Sequence, residues 1–185
     1  MVTIDLITGF LGSGKTTFLK KYAEYLMNQG LHIGILENDF GAINVDMLML
    51  HELRGDQCEL EMIAGGCDAE SHRRRFRTKL ISMRMCGYDR VLVEPSGIYD
   101  VDEFFDVLRE EPLDQWYEIG NVIAILDARL ENNLSQQADY LLASEAANAG
   151  KVILSHADAA TREQCEDTVA HLNRCLLYTS DAADD

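Results

Sequence analysis

Positive charge is scarce in this chain. Sixteen lysines and arginines stand against thirty-two aspartates and glutamates, for a net charge of −16. A nucleic-acid backbone or an anionic membrane surface needs a basic face on its partner, so neither is expected to bind. No apolar run reaches the roughly 18 residues of a membrane span. Met1 to Thr8 already reads as a strand, with no basic region or signal-type core, so a cytoplasmic location is expected. Only two prolines occur, thirteen glycines are scattered without a low-complexity tract, and no internal repeat divides the 185 residues. The five cysteines (Cys58, Cys67, Cys86, Cys165, Cys175) form no CxxC pair, which argues against a disulfide framework and for reduced thiols. An apolar fraction of 47% is ample for the core of a single domain.

The last residues, Cys175-Leu-Leu-Tyr-Thr-Ser-Asp-Ala-Ala-Asp-Asp185, read differently from the rest. They resemble the translation of a transposase-adapter sequence used in DNA library preparation. The expectation is a domain over 1–174, truncated at its C-terminus, with 175–185 excluded from fold reasoning.

Short β-branched runs alternate with segments of helical period, the mark of βαβ units. Strands are expected over 2–8, 33–37, 59–63, 90–94, 122–127 and 151–155. The 59–63 segment alternates polar and apolar residues, as an edge strand would. Helical stripes fall on Phe18, Leu19, Tyr22, Ala23 and Leu26; on Phe76, Leu80 and Met83, with Gly87 to end that helix; and on Val101, Phe104, Phe105 and Leu108. Asp100 and Glu103 have capping-box spacing, Leu134, Ala138, Leu141 and Leu142 form a further stripe, and Thr161 and Gln164 open a last helix.

The chemistry begins where the first strand ends. Gly9 to Thr16 reads GFLGSGKT and satisfies GxxxxGK[ST], with a strand before it and a helix after it. Gly9, Gly12 and Gly14 let the backbone curl so that successive N–H groups, that of Ser13 included, turn toward phosphate oxygens. Lys15 supplies a charge for the β- and γ-phosphates, and the Thr16 hydroxyl suits Mg²⁺. Glu94-Pro-Ser-Gly97 follows another strand. A carboxylate there can hold Mg²⁺ through water, and Gly97 can bring its N–H to a γ-phosphate. The fold expected is α/β, a P-loop NTPase with a mostly parallel sheet and helices on both faces.

With ITGFLGSGKTTFLKKY, ENDFGAINVD, GGC, VLVEPSG, VIAILDA and VILSHAD in that order over residues 2–158, the chain resembles the CobW/HypB/UreG group of P-loop GTPases. The resemblance implies GTP binding with Mg²⁺ and slow hydrolysis coupled to delivery of a transition metal such as zinc to an apoprotein, with room for a homodimer. It assigns Gly14, Lys15, Thr16 and Thr17 to the phosphates. It places Glu37, Asn38, Asp39 and Asp46 in a first switch, where Glu37, Asp39 or Asp46 would orient water, and Glu94 and Gly97 in a second.

Two departures stand out. After Gly65-Gly66 the family usually reads Cys-x-Cys-Cys, whereas this chain reads Cys67-Asp68-Ala69-Glu70. A three-thiolate grip is excluded. A mixed site from Cys67, Asp68, Glu70 and His72, with Cys58 or Glu37 in reach, suits zinc, and a buried free cysteine before a solvated helix start is the alternative. In Leu154-Ser155-His156-Ala157-Asp158, histidine replaces the family's lysine. Asp158 can accept hydrogen bonds from guanine N1 and N2, with Ser155 beside it, or can simply cap the next helix. The basic run from His72 to Lys79 is either a solvated face, a docking surface for an acidic partner, or a source of arginine for phosphate charge. An ATP-dependent small-molecule kinase and a nucleotide-gated interaction module without metal are the rival functions.

Overall fold

The computed structural model describes residues 1–10, 12–39, 45–64, 69–95, 101–130 and 134–181. Six strands, β1 (Val2–Thr8), β2 (Ile33–Asp39), β3 (Cys58–Ala64), β4 (Arg90–Pro95), β5 (Tyr117–Asp127) and β6 (Lys151–Ser155), form one sheet in the order β3-β2-β4-β1-β5-β6. Every pairing between them is parallel. All six expected strands are present, with β3 at an edge, and β5 starts five residues earlier than expected. Helices α1 (Lys15–Met27), α2 (Val45–Leu50), α3 (Ala69–Arg84), α4 (Val101–Leu108), α5 (Leu113–Trp116), α6 (Gln136–Ala147) and α7 (Arg162–Asp181) lie between and after them. No helix among the described residues is long and apolar enough to cross a membrane.

The helices cover both faces of the sheet, and alternation along the strands shows it. Leu36, Val91 and Val93 pack with Phe76, Leu80 and Phe104 of α3 and α4. Their neighbours Ile35 and Leu92 pack with Leu19, Ala23 and Leu26 of α1 and Leu50 of α2. A strand sends successive side chains to opposite faces, so a sheet buried on both sides reads as a continuous apolar run. A third cluster joins Leu126, Leu142, Ala143, Ala146 and Leu172, with Leu154 against it. Gly87, at φ +77°, ends α3 as expected. Thr161 and Gln164 cap α7 reciprocally, at 2.8 and 3.2 Å. The helix α7 runs without a break through Cys175 to Asp181.

One buried charge ties the central strands together midway along β1. The pairing of β1 with β5 shifts register between Ile4 and Leu6, and the fully buried Asp5 stands there. Its carboxylate accepts the Asn121 N–H at 2.6 Å and the Tyr22 hydroxyl at 2.8 Å, and Arg90 Nε lies 2.8 Å from Oδ2. A Cβ on Gly120 would run into Asp5 Oδ1 and Thr3 Cγ2, so glycine is required where β5 passes this carboxylate. Removing the carboxylate leaves a guanidinium and two donors without their acceptor. Asp5→Ala is expected to cost about 3 kcal/mol in urea unfolding; a loss under about 1 kcal/mol would show that the network is not coupled to folding.

Candidate functional site

In a parallel sheet the carboxyl ends of all strands share one rim, and ligands bind there where the strand order reverses. The path from β1 to β2 passes over β4, and β5 returns on the other side of β1. The rim above β1 is therefore flanked by the ends of β4 and β5. Gly9, Gly12 and Gly14 take φ of +139°, +77° and +88°. A Cβ on Gly9 would run into the Ile125 carbonyl and crowd Ser13 Oγ, so the loop can curl this close to β5 only without a side chain. Gly14 sits at the N-terminus of α1 with no side-chain cap. The Ser13 N–H, expected to turn toward phosphate, instead donates to the Phe10 carbonyl at 3.1 Å and closes the loop, and the N-terminus of α1 after Gly14 is the part suited to an anion.

Lys15 is buried to 7% exposure, and its Nζ donates to the Gly9 carbonyl at 2.9 Å and the Phe10 carbonyl at 3.1 Å. An ammonium has three donors, so two carbonyls hold the charge over the loop and one N–H remains. Ser13 Oγ is buried with no hydrogen-bond partner among the described residues. A curled glycine loop, a tethered cation and an orphaned hydroxyl all fit a polyphosphate. Beside them Thr16 Oγ1 donates to Glu94 Oε1 at 2.8 Å, both residues buried. These hard oxygen donors suit Mg²⁺. Glu37, 3% exposed, pairs in register with Glu94 across β2 and β4, so two carboxylates end adjacent strands. Thr17 is exposed. Gly97 and the side chains of Asp39 and Asp46 lie outside the described residues.

The β5 and β6 ends complete the rim. A Cβ on Gly14 would stand 3.5 Å from Ser155 Cβ and 3.7 Å from His156 Cε1, so Ser155 and His156 lie directly against the loop. Ser155 Oγ donates to the Leu126 carbonyl, 3.3 Å away. Asp158 is exposed. Asp127, at the end of β5, binds Arg129 through both oxygens, and the guanidinium holds its carboxyl below the usual carboxylate range.

The four residues expected to bind a transition metal are not gathered by the described structure. Cys67 and Asp68 lie outside the described residues. Glu70 is exposed in the first turn of α3, whereas His72 is 1% exposed with Nδ1 2.9 Å from Glu103 Oε1 of α4. Residues two apart on a helix do not face each other. Cys58 must be dropped as a contributor. It begins β3, opposite Ile33, at the far end of the sheet from Glu37, and burial pushes its thiol up to about 11. The basic run is used within the molecule: Arg73 and Arg77 reach Glu110 beyond α4 at 2.6 and 3.0 Å, and Lys79 reaches Glu61 at 2.8 Å. Among the described residues, Asp139, His171 and Cys175 bring ligand atoms within 4.8 Å of one another. That group lies between α6 and α7, and Cys175 belongs to the segment expected to be adapter-derived.

Comparison with known proteins matches this arrangement to a family. The family model for the CobW/HypB/UreG nucleotide-binding domain matches residues 3–177. The chain belongs to that family. A curated relative, the zinc chaperone YjiA of Escherichia coli K12, is 29% identical over 194 residues, covering 96% of this chain and 57% of that protein. Zinc-regulated GTPase metalloprotein activator 1 of Schizosaccharomyces pombe is 22% identical, covering 85% of this chain and 37% of its own length. The chain thus spans about half the length, or less, of such relatives. Among solved structures, the hydrogenase maturation factor HypB of Archaeoglobus fulgidus superposes with a TM-score of 0.56 at 17% identity, over 94% of this chain and 78% of that one. At that identity the likeness is one of fold.

Three residues near the site escaped the sequence reading. Asp127 and Arg129 sit inside the apolar-strand pattern and its turn, with nothing in spacing to mark them. Glu145 lies off the apolar stripe expected for α6, yet it is 3% exposed and Oε1 has no hydrogen-bond partner among the described residues. Burial raises its carboxyl to about 7, with the Lys15 ammonium pulling the other way. The folded state therefore holds this proton more tightly than the unfolded chain does. That contribution is complete below the ordinary carboxylate range and is lost as pH rises to about 7. Glu145→Gln is expected to be more stable relative to the parent at pH 8 than at pH 5, by on the order of 3 kcal/mol in urea unfolding. A pH-independent difference would contradict a buried neutral carboxyl.

Proposed function

We propose that this chain is the nucleotide-binding domain of a slow GTPase whose nucleotide state is coupled to transition-metal delivery, with zinc the leading cargo. The observation that carries the nucleotide part is the Lys15 ammonium tethered over the glycine loop beside the Thr16–Glu94 pair. Lys15 neutralises phosphate charge, Glu37 stands at the rim to orient attacking water, and Asp158 takes the guanine N1 and N2 donors. Thr16 and Glu94 would hold Mg²⁺, which supplies charge neutralisation on the phosphates when bound. Hydrolysis without a partner is expected on the order of 10⁻⁴ to 10⁻² s⁻¹. The names of the relatives support zinc as cargo and GTP as fuel, and a metal-receiving apoprotein follows as partner.

The kinase reading would use the basic run as a phosphate clamp, and two of its arginines, Arg73 and Arg77, are engaged by Glu110. The metal-free module has one observation in its favour, the separation of Glu70 from His72 on α3. Zinc affinity measured without nucleotide, with GDP and with a GTP analogue separates the two. Coupling predicts a difference of roughly 5- to 150-fold that Cys67→Ser removes; identical affinities leave a GTPase module without metal.

For the nucleotide itself, calorimetric titration of Lys15→Ala is expected to show a loss of roughly 3–4 kcal/mol in binding Mg²⁺-GTP. In the parent, GTP should bind roughly tenfold to hundredfold more tightly than ATP, because adenine leaves Asp158 unpaired. Unchanged affinity in Lys15→Ala would remove the basis of the proposal.

A further inference from the structure

The rim beyond the P-loop holds a charged cluster that the phosphate chemistry does not use. Arg129 Nε and Nη2 reach the two oxygens of Asp127 at 3.2 and 3.1 Å, and the Arg129 backbone N–H reaches Oδ1 at 2.8 Å. A two-point fork of this kind fixes the plane of a guanidinium as well as its position. The same carboxylate serves β6: His156 Nδ1 lies 3.0 Å from Oδ2 and 3.3 Å from Ser155 Oγ. His156 reaches it from a left-handed backbone at φ +51°, the one non-glycine residue at positive φ among those described. Such a conformation is costly for a side-chain-bearing residue and tends to mark functional sites. The Ala128 N–H donates to the Ser155 carbonyl at 2.9 Å, tying the turn after β5 to the end of β6.

The position of the cluster decides its use. Ser155 and His156 pack against Gly14, at the foot of the phosphate cradle. In the GTP-binding reading above, the base of a nucleotide with its phosphates on that cradle is read by the exposed Asp158, two residues beyond His156. Arg129 is 43% exposed despite its fork on Asp127, and the Asp158 charge adds to that of Asp127 in favouring its charged form. The guanidinium thus offers a flat, weakly hydrated cation beside the carboxylate that reads the base. Flat guanidinium groups stack on nucleobases.

We propose that Arg129, oriented by Asp127, is a nucleobase-stacking residue for the bound guanine nucleotide, taking the place beside Asp158 that His156 cannot fill while it is turned to Asp127. This inference rests on the GTP-binding reading above and adds a specificity residue to it. Asp127 is then a positioning residue, acting through the plane of Arg129.

The test compares Mg²⁺-GTP with Mg²⁺-tripolyphosphate, which carries the phosphates without a base, by calorimetry on the whole chain. Arg129→Ala is expected to weaken GTP about tenfold and to leave tripolyphosphate unchanged, with the unfolding midpoint preserved because the side chain is half-exposed. Arg129→Met, which keeps the length of the stem, should show the same selective loss, and Asp127→Asn a smaller one of the same kind. If the parent prefers GTP over tripolyphosphate and both Arg129 variants keep that preference, the stacking role is overturned and the nucleotide reading stands. Equal loss on both probes would assign Arg129 to phosphate charge instead and would also overturn it. A parent that binds the two probes equally would sink the guanine site itself.

Discussion

The site depends on where one ammonium is held. A lysine in a buried loop loses hydration, and burial is tolerated only if its donors are met. Here the Gly9 and Phe10 carbonyls meet two of them, and the loop can present both because Gly9 passes β5 where a Cβ would strike Ile125. The charge is thus fixed before any ligand arrives. A preorganised cation does not have to be recruited at the moment of binding, which is why such groups act strongly in sites that exclude water. Burial of Thr16 against Glu94 one residue later sets the second half of the cradle.

The sheet supplies the rest of the geometry. β4 lies between β1 and β2, and β5 lies on the other side, so the ends of four strands converge on one loop. Glu37 and Glu94 share a register, Asp127 and Ser155 share another, and the two pairs flank the cradle on opposite sides. Deeper in the sheet, midway along β1, the Asp5 network and Gly120 lock β1 to β5 and β4. The carboxylate count is high, but the individual groups sit in different settings. Asp127 is held low by a guanidinium, whereas Glu145 is raised to about 7 by burial.

Much of this was legible in the sequence, and the reasons are local. The GFLGSGKT run needs glycines at fixed positions, and the strands of a sheet buried on both faces leave unbroken β-branched runs, so both announce themselves. β5 was read short because Tyr117 to Gly120 carries polar and small residues, although Tyr117 itself is buried. Of the α6 stripe expected on Leu134, Ala138, Leu141 and Leu142, Leu142 is buried and Leu134 packs against the same cluster, but the helix meets α7 as well as the sheet, so Ala143, Glu145 and Ala146 are buried too. Residues whose role depends on partners distant in sequence stayed hidden. His72 meets Glu103 thirty-one residues away, and Arg129 acquires meaning only when β6 brings His156 to Asp127. Side chains paired this way carry no periodic signature.

In the proposed guanine-nucleotide site, the tethered Lys15 ammonium is the phosphate-binding group. The most direct measurement is a crystal structure of the chain with Mg²⁺ and a non-hydrolysable GTP analogue. Lys15 Nζ is expected to keep its carbonyl anchors and add a phosphate oxygen at about 2.8 Å, with the base stacked on Arg129 and its N1–N2 edge on Asp158. A nucleotide seated elsewhere on the rim, or a Lys15 that touches no phosphate oxygen, would contradict it.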